Sequence, residues 1–119
     1  LKEARPDIVI NLAAVSTLSI REIRKIYELN TLGVVNILEE LRAISFKGRF
    51  ITASSGYIYG DNTPNLIEET LCPAPTNHYS CAKVAGEHAC DLYRSDFIVV
   101  VARPFNCIGI GHADTFLLP

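Results

Sequence analysis

The chain has 119 residues, 49% of them hydrophobic and 20% charged, which is the size and balance of one globular domain. A formal net charge of -2 leaves no basic footprint for nucleic acid, and no apolar run approaches membrane-spanning length. The four cysteines form no C-x-x-C pair and the three histidines are not set at zinc-ligand spacings, so no metal site is expected and the thiols read as free, in a cytoplasmic setting.

Asp7 to Ala14 (DIVINLAA) is a short apolar run whose length and β-branched content predict a buried strand. A helix is expected from about Ile20 to Ile44, because Ile23, Ile26, Tyr27, Val34, Ile37, Leu38 and Leu41 recur at spacings of three and four. Asn30 and Gly33 weaken its middle, and Lys47-Gly48 closes it. Arg49 to Ala53 (RFITA) is the second strand. From Gly56 to Asn77 the chain reads as a long loop, with Gly60-Asp61-Asn62 and prolines at 64, 73 and 75, and loops of that length are often functional. A second helix is expected from His78 to about Tyr93, capped by Thr76 or Asn77, and Phe97 to Ala102 (FIVVVA) is the third strand. Gly109 and Gly111 mark a turn beyond it.

Strand, helix, strand, helix, strand predicts an α/β fold with a parallel sheet and right-handed crossovers. Ligands in such sheets sit at the carboxyl ends of the strands. Ala13-Ala14, Ser54-Ser55 and Arg103-Pro104 fall at those ends. If strand order simply advances, both helices cover one face and the other face is bare. The chain has no Met and opens on Leu1 just before the first strand, so it is expected to be an internal segment of a longer protein that supplies the cover.

Tyr79 and Lys83 stand four apart on the second helix, about 40° apart around its axis, so both side chains project from one face. A serine hydroxyl delivered from the end of the second strand completes a group able to move a proton on and off an alcohol or sugar oxygen. A nearby ammonium favours the phenolate of Tyr79, which makes proton transfer accessible in both directions. The pair Ser54-Ser55 offers the hydroxyl that could stabilise charge on the reacting oxygen.

Five segments in order resemble one family. Asn11-Leu12-Ala13-Ala14, Asn30-Thr31-Leu32-Gly33, Ser54-Ser55-Gly56-Tyr57-Ile58-Tyr59-Gly60, Tyr79 with Lys83, and Arg103-Pro104-Phe105-Asn106 resemble the motifs of the extended short-chain dehydrogenase/reductases, the nucleotide-sugar epimerase/dehydratase family. The resemblance spans almost the whole chain. It implies part of a doubly wound Rossmann-type sheet, with residues 1–119 forming the central to C-terminal part of one NAD(P)-binding domain. It also implies NAD or NADP as cofactor, a nucleotide-sugar substrate, and a homodimer formed through these two helices.

Carried over residue by residue, the resemblance makes Ser55, Tyr79 and Lys83 catalytic. It places Leu12, Ala13, Ala14, Asn30, Ser54, Tyr79, Lys83 and Pro104 at the cofactor, and Ser55, Tyr57 and Asn106 at the substrate. Tyr57 stands where the related 4,6-dehydratases carry an acidic residue, which argues against dehydration and leaves reduction or epimerisation. Leu41-Arg42-Ala43, Gly48-Arg49-Phe50 and Val101 to Gly109 resemble the GDP-4-keto-6-deoxy-mannose reductases, although Cys107 and Ile110 stand where those usually carry His and Pro. The expected reaction is reduction of a 4-keto-6-deoxy nucleotide sugar. Its rivals are 4-epimerisation and, outside catalysis, a cofactor-sensing or truncated segment.

Overall fold

The computed structural model describes residues 1, 3–15, 22–61 and 65–107. The expected start of the first helix at Ile20 and the turn at Gly109 and Gly111 lie outside the described residues.

Three parallel strands form one sheet in the order β1 (Ile8–Asn11), β2 (Arg49–Ala53), β3 (Ile98–Ala102). Strand order therefore simply advances. Phe50 sits between Val9 and Val99 in register, and Thr52 between Asn11 and Val101. That side chain row alternates with Ile10, Ile51 and Val100, which point to the opposite face. β2 and β3 agree with expectation to within one residue. The first strand is shorter than the apolar run suggested: pairing stops at Asn11, and Leu12, Ala13 and Ala14 leave the sheet exposed. Asn11 is the reason. Its Oδ1 accepts from Ala13 N at 3.2 Å, an Asx-type turn that bends the chain away from β2, while its Nδ2 donates to Thr52 Oγ1 at 3.3 Å.

The long helical pattern between β1 and β2 resolves into α1 (Ile23–Tyr27), a π-helical turn over Glu28–Leu32, and α2 (Gly33–Ala43). These run on without a break, so the pattern holds while the winding changes at Asn30. The helix closes at Ile44–Ser45, with Ser45 at φ 54°, a few residues before Lys47-Gly48. α3 (His78–Asp91) starts at Asn77, not Thr76. Asn77 Oδ1 accepts from Ser80 N at 2.9 Å and Ser80 Oγ accepts from Asn77 N at 3.3 Å, a reciprocal capping box. α3 ends two residues short of Tyr93, which packs in the core from the following turn.

α2 and α3 cover one face of the sheet. Val34, Leu38 and Leu41 from α2, Cys90 from α3, Phe50 from β2 and Val99 from β3 meet there with Phe46, Tyr93 and Phe97. Phe46 and Phe97 contact edge to face at 5.5 Å. Leu38 is fully buried, worth about 1.5–3 kcal/mol on transfer from water. Burial also pushes the Cys90 thiol up to about 11. The other face carries Ile8, Ile10, Ile98 and Val100, all exposed, with nothing over them among the described residues.

The segment after β2 is not wholly loop. Gly56–Tyr59 forms a 3₁₀ turn that ends at Gly60, whose φ of 75° and ψ of -165° belong to a region open only to glycine. A Cβ there would lie 2.3 Å from Ala74 O. The turn lets the chain fold back so that Ala74 N donates to Ile58 O at 2.8 Å. Gly60→Ala should therefore cost about 1–3 kcal/mol from backbone strain, before any clash. Urea denaturation of the intact protein reads this directly, and a loss below about 0.5 kcal/mol would mean the turn tolerates a side chain.

Candidate active site

The carboxyl ends of the three strands and the N-terminal half of α3 converge on one rim. Lys83 is the pivot. It is 6% exposed, and its Nζ donates to Ala53 O, the last carbonyl of β2, at 2.8 Å. The same ammonium lies 5.8 Å from the centroid of the Tyr79 ring. Helical spacing thus brings the phenol and the amine together as their positions require. Burial depresses the Lys83 pKa, and the Glu87 carboxylate one turn along α3 opposes that shift.

Ser54 and Ser55 follow Ala53 directly and do different things. Ser55 caps the 3₁₀ turn: its Oγ accepts from Tyr57 N at 3.2 Å, so its hydroxyl hydrogen stays free to donate. Ser54 extends the sheet, with its N–H donating to Ala102 O at 2.7 Å. Its Oγ is buried and has no hydrogen-bond partner among the described residues. Ser54 lines a cavity of about 10 Å³ together with Asn30, Thr52, Ala53, Lys83 and Glu87. Such a volume holds about one water.

Asn30 acts on backbone. Its Nδ2 donates to Val15 O at 3.1 Å and its Oδ1 accepts from Val15 N at 2.9 Å, which ties the chain beyond Ala14 to the helix layer. The π turn is what rotates Asn30 inward; π turns cluster at functional sites. Close contact with α3 needs Gly86, where a Cβ would approach Asn30 O to 3.0 Å. Thr31 Oγ1 adds a bond to Ala82 O at 2.9 Å. Together these lock the first helix layer onto the helix that carries Tyr79 and Lys83.

The exposed rim consists of Leu12, Ala13, Ala14, Tyr57, Pro104 and Asn106, with Tyr79 half-buried. Tyr57 and Tyr79 contact edge to face at 6.5 Å, so Tyr57 stands beside the Tyr79 phenol. Pro104 O accepts from Gly56 N at 2.8 Å, holding the third strand's exit against the serine turn. The small side chains of Ala13 and Ala14, a free Ser55 hydroxyl and the Tyr79–Lys83 pair fit a dinucleotide lying across these strand ends. Of the residues named from sequence reasoning, Leu12, Ala13, Ala14, Tyr57, Pro104 and Asn106 are exposed, Tyr79 is half-buried, and Asn30, Ser54, Ser55 and Lys83 are buried beneath them.

Sequence reasoning gave no part to Glu87 and Tyr59. Arg103 donates to Glu87 through Nε and Nη2 and to Tyr59 OH at 2.8 Å, joining β3's exit, α3 and the serine turn. Glu87 four residues after Lys83 was the one available signal.

The chain belongs to the NAD dependent epimerase/dehydratase family, whose model matches residues 1–118. It is 34% identical over 120 residues to GDP-6-deoxy-D-talose 4-dehydrogenase of Aggregatibacter actinomycetemcomitans, covering all of this chain and 41% of that protein. It is 38% identical over 119 residues to GDP-6-deoxy-D-mannose reductase of Pseudomonas aeruginosa, covering 95% of this chain and 39% of that protein. The structure of RMD from Pseudomonas aeruginosa complexed with NADPH superposes with a TM-score of 0.86 at 38% identity, over 93% of this chain and 40% of that one. The fold is therefore Rossmann-type, and the chain spans about two fifths of the length of the relatives it matches.

Two outcomes follow from the buried groups. Asn30→Ala leaves the buried Val15 N–H and C=O without their partner and should lower the stability of the intact protein by about 1–3 kcal/mol per orphaned group. Chemical denaturation measures it, and a cost under about 0.5 kcal/mol would remove Asn30 as the tie. For Lys83, a folded pKa below the unfolded one means that the native state binds fewer protons there. Its stability contribution should rise with pH through the window that ends near the unfolded lysine pKa of about 10.4. Lys83→Met should abolish that rise; equal pH slopes for the two proteins would contradict the burial effect.

Proposed function

We propose that the intact protein is an NAD(P)-dependent oxidoreductase of a nucleotide-linked sugar, and that its reaction is reduction of a 4-keto-6-deoxy nucleotide sugar. The observation that carries this reading is the buried Lys83 ammonium, held by Ala53 O at 2.8 Å and set 5.8 Å from the Tyr79 ring at the serine end of β2. Relatives named as a GDP-6-deoxy-D-mannose reductase and a GDP-6-deoxy-D-talose 4-dehydrogenase support the sugar class.

Bound NAD(P)H supplies the hydride to the carbonyl carbon. The chain's residues handle the oxygen. The Ser55 hydroxyl donates to the developing alkoxide, and Tyr79 gives it the proton that completes the alcohol. Lys83 stabilises the resulting phenolate and, beside it, holds the cofactor ribose. Leu12, Ala13, Ala14 and Pro104 form the cofactor wall, while Asn30 and Ser54 brace it from beneath. Asn106 and Tyr57 line the substrate side. Tyr57 offers a phenol where 4,6-elimination needs a carboxylate base, so the geometry favours reduction over dehydration.

A 4-epimerase would use the same residues to oxidise and then reduce, with no net consumption of cofactor. A homodimer belongs to the same reading: Ile23, Leu29 and Leu32 are exposed along the first helical layer and suit a second copy. No helix among the described residues is long and apolar enough to cross a membrane, which accords with an enzyme acting in the cytoplasm.

The test is turnover of GDP-4-keto-6-deoxy-mannose by the intact protein, followed by NADPH absorbance. Stoichiometric oxidation of NADPH is expected, and Tyr79→Phe should lower kcat by about 10²–10⁴-fold. Isomerised sugar at constant NADPH would favour the epimerase. Unchanged kcat in Tyr79→Phe would remove the phenol from the chemistry.

A further inference from the structure

Arg103 leaves β3 at the rim, where a cation would ordinarily be read as a ligand for the substrate's diphosphate. Four of its five donors are already spent. Nε lies 3.1 Å from Glu87 Oε1, and Nη2 lies 2.7 Å from Glu87 Oε2. Nη1 donates to Tyr59 OH at 2.8 Å and to Glu69 O at 2.9 Å. One of the guanidinium's five donors remains. The pair is largely buried, with the Arg103 and Glu87 side chains 21% and 11% exposed. The guanidinium also stands 5.3 Å from the Tyr59 ring centroid, and Phe105 stacks on the same ring at 6.4 Å.

These partners lie on separate pieces of the site. Tyr59 ends the 3₁₀ turn that Ser55 caps. Glu87 lies one turn beyond Lys83 on α3, on the same helix face, and lines the small cavity with Lys83 and Ser54. We propose that Arg103 is a positioning residue: its fork on Glu87 and its bond to Tyr59 clamp the serine turn to the helix of Tyr79 and Lys83, and it does not bind the substrate's diphosphate. The catalytic half of this statement rests on the function proposed above; the clamp itself does not.

Geometry explains why a charge alone is not enough. A lysine at 103 keeps the cation but cannot bridge a carboxylate and a phenol in one plane. As a second effect, Arg103 neutralises Glu87, the carboxylate that opposes burial at Lys83.

The experiment uses the intact protein with Arg103→Gln, Arg103→Lys and Tyr59→Phe. Tyr59→Phe keeps the ring stack and removes only the hydroxyl, so it reports even if Arg103→Gln fails to fold. Three quantities are read: amide hydrogen exchange across 56–60, affinity for GDP, and kcat with GDP-4-keto-6-deoxy-mannose and NADPH. A clamp predicts exchange at 56–60 at least fivefold faster in all three variants, with β3 amides unchanged. It also predicts GDP affinity within twofold of the parent and kcat at least tenfold lower in both Arg103 variants. Two results overturn it: exchange at 56–60 like the parent's, or GDP affinity lost in Arg103→Gln and restored in Arg103→Lys, which would make Arg103 an anion ligand. If the parent itself turns over no sugar, the proposed function falls, and hydrogen exchange still decides the clamp.

Discussion

One hydrogen bond organises the site: the Lys83 ammonium on the last carbonyl of β2. An ammonium taken from water must recover its lost hydration from fixed dipoles. The Ala53 carbonyl supplies part of this at the last residue of β2, one position beyond the end of its pairing with β1. The bond therefore satisfies a strand-end oxygen and a buried cation together. It also fixes the distance between α3 and β2, and with it the position of Tyr79 relative to the two serines that follow Ala53. A shorter or neutral side chain at 83 would free the carbonyl and let the helix slide on the sheet. The placement of Tyr79 and the docking of helix on sheet are here one interaction.

The first helical layer serves the same end at a local cost. A π turn widens the backbone and gives up favourable α-helical bonding. In exchange Asn30 turns inward and uses its amide as a double tie to Val15, and Thr31 reaches the backbone of α3. Gly86 is the complementary concession on α3, where any Cβ would crowd Asn30 O. Neither irregularity has a rationale within its own helix. Each makes sense only as an adjustment that lets two helices and the departing β1 strand meet closely beneath the rim.

Local rules carried the reading of this chain far, and they failed where physics became non-local. Strands β2 and β3 and helix α3 were legible because each is bounded by its own signals: β-branched runs, Asn77 as cap, the turn after Asp91. The pair Tyr79–Lys83 was legible because helical spacing fixes it. The end of β1 was not. Leu12-Ala13-Ala14 is as apolar as the strand, and apolarity reports a need for cover without saying whether the cover is a neighbouring strand or a ligand. The π turn was also hidden, since one added residue barely disturbs a pattern of threes and fours; only the ill-suited Asn30 hinted at it. The fork of Arg103 on Glu87 spans 16 positions and two elements, beyond any spacing rule.

The distribution of charge shows how the two buried cations divide their work. Arg103 is held far toward its charged form by the hydrogen bonds it donates to the Glu87 carboxylate and to the Tyr59 hydroxyl oxygen. Lys83 has no such fork, and burial moves it the other way. A guanidinium stays charged in almost any protein environment, so its field is constant and it suits a structural joint. An amine differs in that burial and neighbouring charge shift its pKa readily. Glu87 bears on both groups, as the fork's acceptor and as the charge that opposes the effect of burial at Lys83. One turn of α3 thus separates Glu87, which holds the fixed charge of Arg103, from Lys83, whose ammonium lies 5.8 Å from the Tyr79 ring centroid.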